Sequence, residues 1–273
     1  MSQETLNPQA RQMADESMFR NLAAQASAIW PQEAPLFRRY ELPAGARILD
    51  AGCGTGEITA RLAGLFPKAT VLGVDVLEPP LRVARARHGA LAPRVSFAQG
   101  SVFHLALPDR EFDLTVCRHV IQAIPHPERA LAELARVTRR GGRIHLLAED
   151  YGMIHLPART LDPADFWPAA PREFGARTGS DMLVGRRAFA MMRALGLADL
   201  TLDYVAVDTL RVPRETFAAI WEAWRDGYAD AIGQHTRFTA EEARRHFDDQ
   251  IATIRDPDQY AAWIIPILSA RVP

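Results

Sequence analysis

Short apolar runs alternate with amphipathic segments along the first 150 residues. The runs lie near 46–51, 70–75, 94–98, 112–117 and 142–148. Most of them are continuously apolar, which is typical of parallel strands whose two faces are both covered by helices. The pattern predicts an α/β fold with a doubly wound, mostly parallel sheet.

Helical spacing marks two segments around these strands. Residues 12–30 carry apolar side chains on one face, and Pro31 is expected to end this helix. The apolar positions are Met18, Leu22, Ala26 and Ile29. A second helix begins near Glu128, between the fourth and fifth strands, and is predicted to stop at Gly141 and Gly142.

The pattern changes after residue 150. Residues 151–184 are rich in proline and aromatic side chains, while 200–207 and 260–272 have the composition of further strands. Two amphipathic helices are predicted within 213–256. Their apolar faces comprise Phe217, Ile220, Trp221, Trp224 and Tyr228 in the first, and Ala243, Phe247, Ile251 and Ile254 in the second.

A glycine-rich turn follows the first predicted strand. Residues 48–57 read Ile-Leu-Asp-Ala-Gly-Cys-Gly-Thr-Gly-Glu, with glycine at positions 52, 54 and 56. Because glycine adopts positive φ and has no Cβ, the backbone amides of such a turn can approach a nucleotide-like ligand. The second strand ends in Asp75, where a carboxylate can accept hydrogen bonds from ribose hydroxyls.

The glycine spacing separates two classes of cofactor. A dinucleotide-binding turn reads Gly-x-Gly-x-x-Gly and would need a glycine where this chain has Glu57, which disfavours a nicotinamide-dependent oxidoreductase. Strand, glycine turn, helix, strand and acid together resemble the class I S-adenosylmethionine (SAM) dependent methyltransferases. The segment through the fourth strand, residues 107–127, is similar to the small-molecule branch that includes the ubiquinone and menaquinone methyltransferases.

The resemblance implies a seven-stranded Rossmann-like sheet with a helical insertion before the last strand, and SAM as the cofactor. It places cofactor contacts at Asp50, Ala51, Gly52, Cys53, Gly54, Gly56, Asp75, Val76, Ser101, Val102 and Arg118. Ser101 stands where the family often has an acid that contacts the adenine amino group. Its hydroxyl and the backbone amide of Val102 are expected to bind adenine instead.

The resemblance also implies an organisation for the single methyltransferase domain, residues 1–273. Residues 1–40 would form an N-terminal helical cap and 41–150 the SAM-binding core. The segments 151–184 and 213–256 would supply the acceptor site.

Polar residues at the ends of the fourth and fifth strands are the candidates for chemistry, because ligands bind at the carboxyl ends of strands in such sheets. They are Arg118, His119, Glu149, Asp150 and Tyr151. His119 is the candidate general base, since imidazole can accept a proton near neutral pH. The alternative is that His119 only packs against the methionine portion of the cofactor. Glu149 and Asp150 either act as a base, hold a substrate cation, or cap the next segment.

Aromatic residues in the second half have two interpretations. Phe166, Trp167, Trp221, Trp224 and Tyr228 either form the core between the added helices and the sheet, or in part line an apolar acceptor pocket. His155 and His235 lie in the same segments. Each is either a second base or an inert surface histidine.

Charge and cysteine content restrict the partners. The 32 basic and 33 acidic residues are interspersed, and there is no Asn-Pro-Pro-Tyr or Asp-Pro-Pro-Tyr motif after the fourth strand, so a small molecule is favoured over nucleic acid. Cys53 and Cys117 form neither a disulfide framework nor a metal motif. The N-terminus lacks a secretory signal pattern and no run is long enough to span a bilayer. A cytoplasmic protein without membrane partners is therefore expected, and the oligomeric state stays open.

These observations favour SAM-dependent methyl transfer to a small, partly apolar or aromatic metabolite at oxygen, nitrogen or carbon. The alternative is a protein that binds SAM without transferring its methyl group, as a regulator or as a scaffold for another reaction. Release of S-adenosylhomocysteine (SAH) with some acceptor distinguishes the two.

Overall fold

The computed structural model describes residues 7–273. Its strands are β1 Arg47–Ala51, β2 Thr70–Asp75, β3 Val95–Gln99, β4 Phe112–Arg118, β5 Thr138–Leu147, β6 Ile154–His155, β7 Ala198–Asp208 and β8 Ala262–Arg271. Its helices are α1 Ala10–Met13, α2 Glu16–Arg38, α3 Glu57–Leu65, α4 Glu78–His88, α5 Pro127–Val137, α6 Pro163–Phe166, α7 Ala170–Thr178, α8 Gly185–Ala194, α9 Arg214–His235 and α10 Ala240–Arg255.

The strands form one mixed sheet whose first five members are parallel, in the order β3-β2-β1-β4-β5. β8 is antiparallel to β5, and β7 is antiparallel to β8. The two-residue β6 pairs with β8 beyond the end of β5, at Trp263 and Ala262, and makes the eighth strand. The predicted α/β fold class is confirmed.

Helices cover both faces of the parallel part of the sheet. Neighbouring residues of β1 alternate between the two sides: Ile48 packs with Leu62 of α3, and Leu49 packs with Leu134 of α5. All three leucines and Ile48 are fully buried. This burial on two faces explains why the central strands read as continuous apolar runs.

The predicted pair of helices within 213–256 is present as α9 and α10, which lie between β7 and β8 in the chain. Both pack their predicted apolar faces inward, and α9 also packs on α2. The indole nitrogens of Trp167 and Trp221 both donate to Oε1 of Gln250 on α10, at 3.0 and 2.8 Å. These bonds satisfy polar atoms that would otherwise be buried without partners.

Two predicted helix ends were wrong. α2 continues through Pro31 as far as Arg38, because both prolines in the helix lie on its exposed side while Glu33 and Phe37 beyond Pro31 are fully buried. Burial of these later turns outweighs the hydrogen bonds lost at proline.

α5 ends at Val137, four residues before the glycine pair that was expected to stop it. Thr138 leaves the helix and pairs with Phe112 as the first residue of β5. Its hydroxyl lies 2.7 Å from the carbonyl oxygen of Leu134 and 2.7 Å from the hydroxyl of Thr115. Thr138 donates a hydrogen bond to a carbonyl at the end of α5, and its β-branched side chain suits a strand. These two properties explain why the helix ends before the glycine pair.

None of the helices between residues 7 and 273 is long and apolar enough to cross a bilayer.

Candidate cofactor and acceptor site

A cavity of about 330 Å³ lies at the carboxyl ends of β1 to β4. The structure brings together around it eight of the predicted site residues: Gly52, Gly54, Asp75, Val76, Ser101, Val102, Arg118 and His119. Asn7, Met13 and Leu22, from the N-terminal segment and its helices, line the opposite side. The position agrees with the rule that ligands bind beyond the carboxyl ends of parallel strands.

The glycine turn owes its shape to left-handed backbone and to Asp75. Gly52 has φ 81° and Gly54 has φ 52°. The amide of Gly54 donates to Oδ2 of Asp75 at 2.8 Å, and the amide of Leu77 donates to Oδ1 at 2.9 Å. Burial raises the pKa of Asp75. The carboxylate thus ties the turn after β1 to the end of β2, and it borders the cavity.

Four predicted contacts do not line this cavity. Asp50 is buried behind it and accepts a 2.6 Å bond from the Thr59 hydroxyl; burial raises its pKa to about 6. Ala51 pairs with Cys117 inside the sheet, and burial raises the pKa of the Cys53 thiol. Gly56 is the N-cap of α3, where an added Cβ would lie 2.8 Å from Phe97. These four residues therefore contribute to the structure of the glycine turn without lining the cavity.

Valine at position 52 is expected to cost about 2–5 kcal/mol of unfolding free energy and to abolish SAH binding. The residue has positive φ, and an added Cβ would collide with the Val120 side chain at the cavity wall. Gly45→Val is the matched control, because Gly45 has φ 80° but no atom within 4 Å of an added Cβ. Chemical denaturation and calorimetric titration with SAH measure both effects. Equal losses of stability in the two variants would show that the contact with Val120 does not destabilise the Gly52→Val variant.

Arg118 is the only lysine or arginine that lines the cavity within the described part of the chain. It ends β4 and its side chain is 5% exposed. Its Nε donates to Oε1 of Glu33 at 2.8 Å, while its Nη2 is buried and has no hydrogen-bond partner among the described residues. The cavity therefore has an acid at the end of β2 and a cation at the end of β4.

His119 is held by a buried carboxylate. Its Nδ1 lies 2.5 Å from Oε1 of Glu149, and Tyr151 donates from its hydroxyl to Oε2 of Glu149 at 2.6 Å. Burial and the adjacent Glu149 raise the pKa of Tyr151, so its hydroxyl stays protonated. Nε2 of His119 is buried without a hydrogen-bond partner among the described residues. A carboxylate at Nδ1 fixes the Nδ1–H tautomer and leaves the Nε2 lone pair available to a ligand.

Asp150 has a different environment from its neighbour Glu149. Its two oxygens accept 2.7 Å hydrogen bonds from Nη2 and Nε of Arg186, and one also accepts from the amide of Gly152. Of the predicted roles for this acid, the structure supports capping of the next segment. Asp150 does not line the cavity.

A second, smaller cavity of about 50 Å³ adjoins this network and has apolar, mostly aromatic walls. The lining rings are Tyr151, Phe166, Trp167, Phe174, Trp224, Tyr228 and Phe247. The hydroxyl of Tyr228 donates to Oε1 of Gln9 at 2.7 Å, and that of Tyr151 is used by Glu149. A ligand in this cavity would therefore contact mainly aromatic rings. Trp221 lies behind it in the core, and His155 and His235 line neither cavity.

Sequence reasoning found His119, Glu149 and Tyr151 but not their connection, and it missed Glu33 altogether. Glu33 is charged yet fully buried among the apolar positions of α2. An acid on the buried face of an amphipathic helix was the available signal, because such a residue needs a partner. No group of three or more His, Cys, Asp or Glu side chains within 7–273 is arranged to hold a metal ion.

A model of the methyltransferase domain family matches residues 49–146. The methyltransferase GfsG of Streptomyces halstedii is 31% identical over 208 residues, which are 70% of this chain and 72% of that protein. This chain belongs to the SAM-dependent methyltransferases. The predicted family is thereby confirmed.

Other relatives of this methyltransferase match over less of their length. Trans-aconitate 2-methyltransferase of Deinococcus radiodurans is 32% identical over 160 residues, 57% of this chain and 60% of that protein. The chain spans between 24% and 60% of the length of seven curated relatives that it matches, trans-aconitate 2-methyltransferase of D. radiodurans among them. Among solved structures, phosphoethanolamine N-methyltransferase 2 of Haemonchus contortus in complex with SAM has a TM-score of 0.59 at 18% identity, over 97% of this chain and 60% of that one. It shows the same fold.

The residues of this methyltransferase fit its family's cofactor. Gly52 and Gly54 line the cavity with backbone atoms alone, and an added Cβ at Gly54 would lie 2.7 Å from Leu22 of α2, so a larger residue does not fit there. Asp75 can accept hydrogen bonds from ribose hydroxyls. Nη2 of Arg118, which has no partner among residues 7–273, can donate a hydrogen bond to a carboxylate. These are complementary to a ligand with a ribose at one end and an amino acid at the other.

Proposed function

We propose that this methyltransferase transfers the methyl group of SAM to a small, partly apolar or aromatic metabolite, at an oxygen, nitrogen or carbon atom. The observation that supports this best is His119, which borders the cavity at the strand ends. Its Nδ1 is held by Glu149, and its Nε2 has no hydrogen-bond partner among the described residues. The methyl of SAM is carried on a sulfonium and is taken by an in-line nucleophile.

The residues at the strand ends support one orientation of the cofactor. Asp75 at the end of β2 would bind the ribose, and Ser101 with the Val102 amide after β3 would bind adenine. Arg118 at the end of β4 would bind the carboxylate of the methionine portion. The four strands are adjacent in the order β3-β2-β1-β4, so this orientation directs the methionine portion toward His119.

His119 would act as the general base for an acceptor that arrives protonated. The Nδ1–H donates to Glu149, which stabilises the imidazolium formed when Nε2 takes a proton. Tyr151 holds the second carboxylate oxygen and so limits rotation of Glu149. Positioning of the nucleophile in a closed cavity supplies the rest of the acceleration.

The aromatic cavity would receive an apolar part of the acceptor. Tyr151 contributes its ring to this cavity and its hydroxyl to Glu149, so the cavity lies next to the histidine network. The rings of Trp224 and Trp263 are 5.1 Å apart, and those of Trp263 and His119 are 6.2 Å apart. The Trp263 ring thus contacts both Trp224 of the aromatic cavity and the proposed base.

The proposal is tested by incubating the protein with SAM and a panel of phenols, carboxylic acids, amines and enolisable ketones, and by measuring SAH by mass spectrometry. We expect SAH release with an acceptor that carries an apolar or aromatic group. Tight SAM binding with no SAH release across the panel would instead favour a protein that binds SAM without methyl transfer.

Trp224→Ala is expected to raise the KM of the acceptor about 10-fold or more and to change the Kd of SAH less than twofold, because Trp224 lines the aromatic cavity and not the cofactor cavity. Trp30→Ala is the matched control, since Trp30 is a half-buried indole of α2 that lines neither cavity. Steady-state kinetics and titration calorimetry measure the two constants. A larger effect on SAH affinity than on acceptor KM would place Trp224 in cofactor binding.

A further inference from the structure

A buried polar cluster links the N-terminal helix α2 to the cavity. Oε1 of Glu33 accepts from Nε of Arg118 at 2.8 Å and lies 2.9 Å from Nε2 of His145. Nδ1 of His145 lies 2.7 Å from the hydroxyl of Tyr40. Glu33 and His145 are fully buried. Only Arg118, at one end of this cluster, lines the cofactor cavity.

The electrostatics of the cluster keep Glu33 ionised. Burial raises the pKa of its carboxyl, but the charge of Arg118 and the hydrogen bond from His145 outweigh burial and lower the pKa to about 2. An ionised acid in the core is maintained only by close partners. Loss of Glu33 would therefore leave the buried guanidinium without its counter-ion.

The geometry of arginine makes this pairing directional. A guanidinium is planar, so a hydrogen bond at Nε restricts the directions in which both Nη atoms can point. Glu33 accepts the hydrogen bond from Nε–H of Arg118, and Nη2 has no hydrogen-bond partner within residues 7–273. The Nη2 donor is thus held in one direction while its bonding capacity is unused.

We propose that Glu33 is a positioning residue for cofactor binding: it orients Arg118 so that Nη2 donates to the carboxylate of the cofactor's methionine portion. This inference rests on the cofactor orientation given under the proposed function. It makes α2 part of the cofactor site through a residue that does not touch the cofactor. Supporting contacts of this kind hold a binding group within the narrow range of geometry that a charged hydrogen bond requires.

The test compares two ligands by titration calorimetry. SAH contains the amino-acid portion, whereas 5′-methylthioadenosine contains the adenosine and the sulfur but no carboxylate. Glu33→Asp keeps the charge but shortens the side chain by one methylene, and Glu33→Leu removes the acceptor. We expect SAH to bind several-fold more weakly to the first variant and about 10- to 100-fold more weakly to the second, with methylthioadenosine changed less than twofold.

Two further variants distinguish a loss of Arg118 orientation from a general loss of stability. Glu33→Gln retains an oxygen that can accept from Nε and is expected to keep most of the preference for SAH. Tyr40→Phe removes the outer bond to His145 without touching Arg118, so it is expected to lower stability but leave the ratio of the two affinities unchanged. Glu33→Asp supplies the result if Glu33→Leu does not fold.

Three results would overturn the proposal. Unchanged or tighter SAH binding by Glu33→Asp would mean that Arg118 does not need Glu33 for its orientation. Equal losses for SAH and methylthioadenosine would mean that Glu33 only supports the fold. If the unsubstituted protein bound methylthioadenosine as tightly as SAH, Arg118 would not bind the carboxylate, and the cofactor orientation itself would be wrong.

Discussion

His119→Ala is expected to lower kcat about 10²- to 10⁴-fold while changing the Kd of SAH less than threefold. The imidazole is the candidate base at the cavity: Nδ1 lies 2.5 Å from Oε1 of Glu149, and Nε2 is buried without a partner among the described residues. The loss should be partly relieved at high pH, where the acceptor loses its proton without help. Steady-state rates as a function of pH measure this.

The chain offers a close control for that experiment. His126 also has positive φ, 53° against 55° for His119, but its side chain is 63% exposed and does not line the cofactor cavity. His126→Ala therefore introduces the same backbone preference without removing the base, and its kcat should stay near that of the unsubstituted protein. Near-normal kcat at pH 7 for His119→Ala would rule out proton transfer by this residue and leave positioning as the mechanism. A fall in SAH affinity with an unchanged pH profile would support the packing role.

Asp75→Ala is expected to weaken SAH binding about 10- to 100-fold, which corresponds to about 1–3 kcal/mol. The substitution removes the acceptor for ribose hydroxyls. It also removes two backbone hydrogen bonds, one from Gly54 in the glycine turn and one from Leu77 just after β2. Both losses are expected to weaken SAH binding. Titration calorimetry with SAH measures the change.

Asp113→Ala controls for the loss of a carboxylate that anchors backbone. Asp113 accepts a hydrogen bond from the amide of Arg47 at 2.7 Å. It lies near the start of β4, whereas the cavity lies at the other end of the strand. This variant should lose stability and keep its affinity for SAH. Unchanged SAH affinity in Asp75→Ala would remove the basis for placing the ribose at β2.

Local features of the sequence determined the fold class and the position of the cofactor cavity. Continuous apolar runs identify buried parallel strands because both faces of each strand are covered, as Ile48 and Leu49 show by packing on opposite sides. The glycine turn and Asp75 could be found because left-handed backbone and an acid at a strand end each need particular residue types at a short, regular spacing. Eight of the predicted residues accordingly surround one cavity.

Contacts between distant residues were decided by the tertiary structure alone. Glu33 meets Arg118 across 85 positions and His119 meets Glu149 across 30, and no local pattern states which buried acid will face which base. The helix ends predicted at Pro31 and at Gly141 were wrong for the same reason, since burial of later turns in α2 and pairing of Thr138 with β4 outweighed local preference. The sequence alone thus determined the fold and the turn that borders the cavity. Packing decided which side chains became partners there, because the energy of a buried charge depends on the neighbours that the fold brings to it.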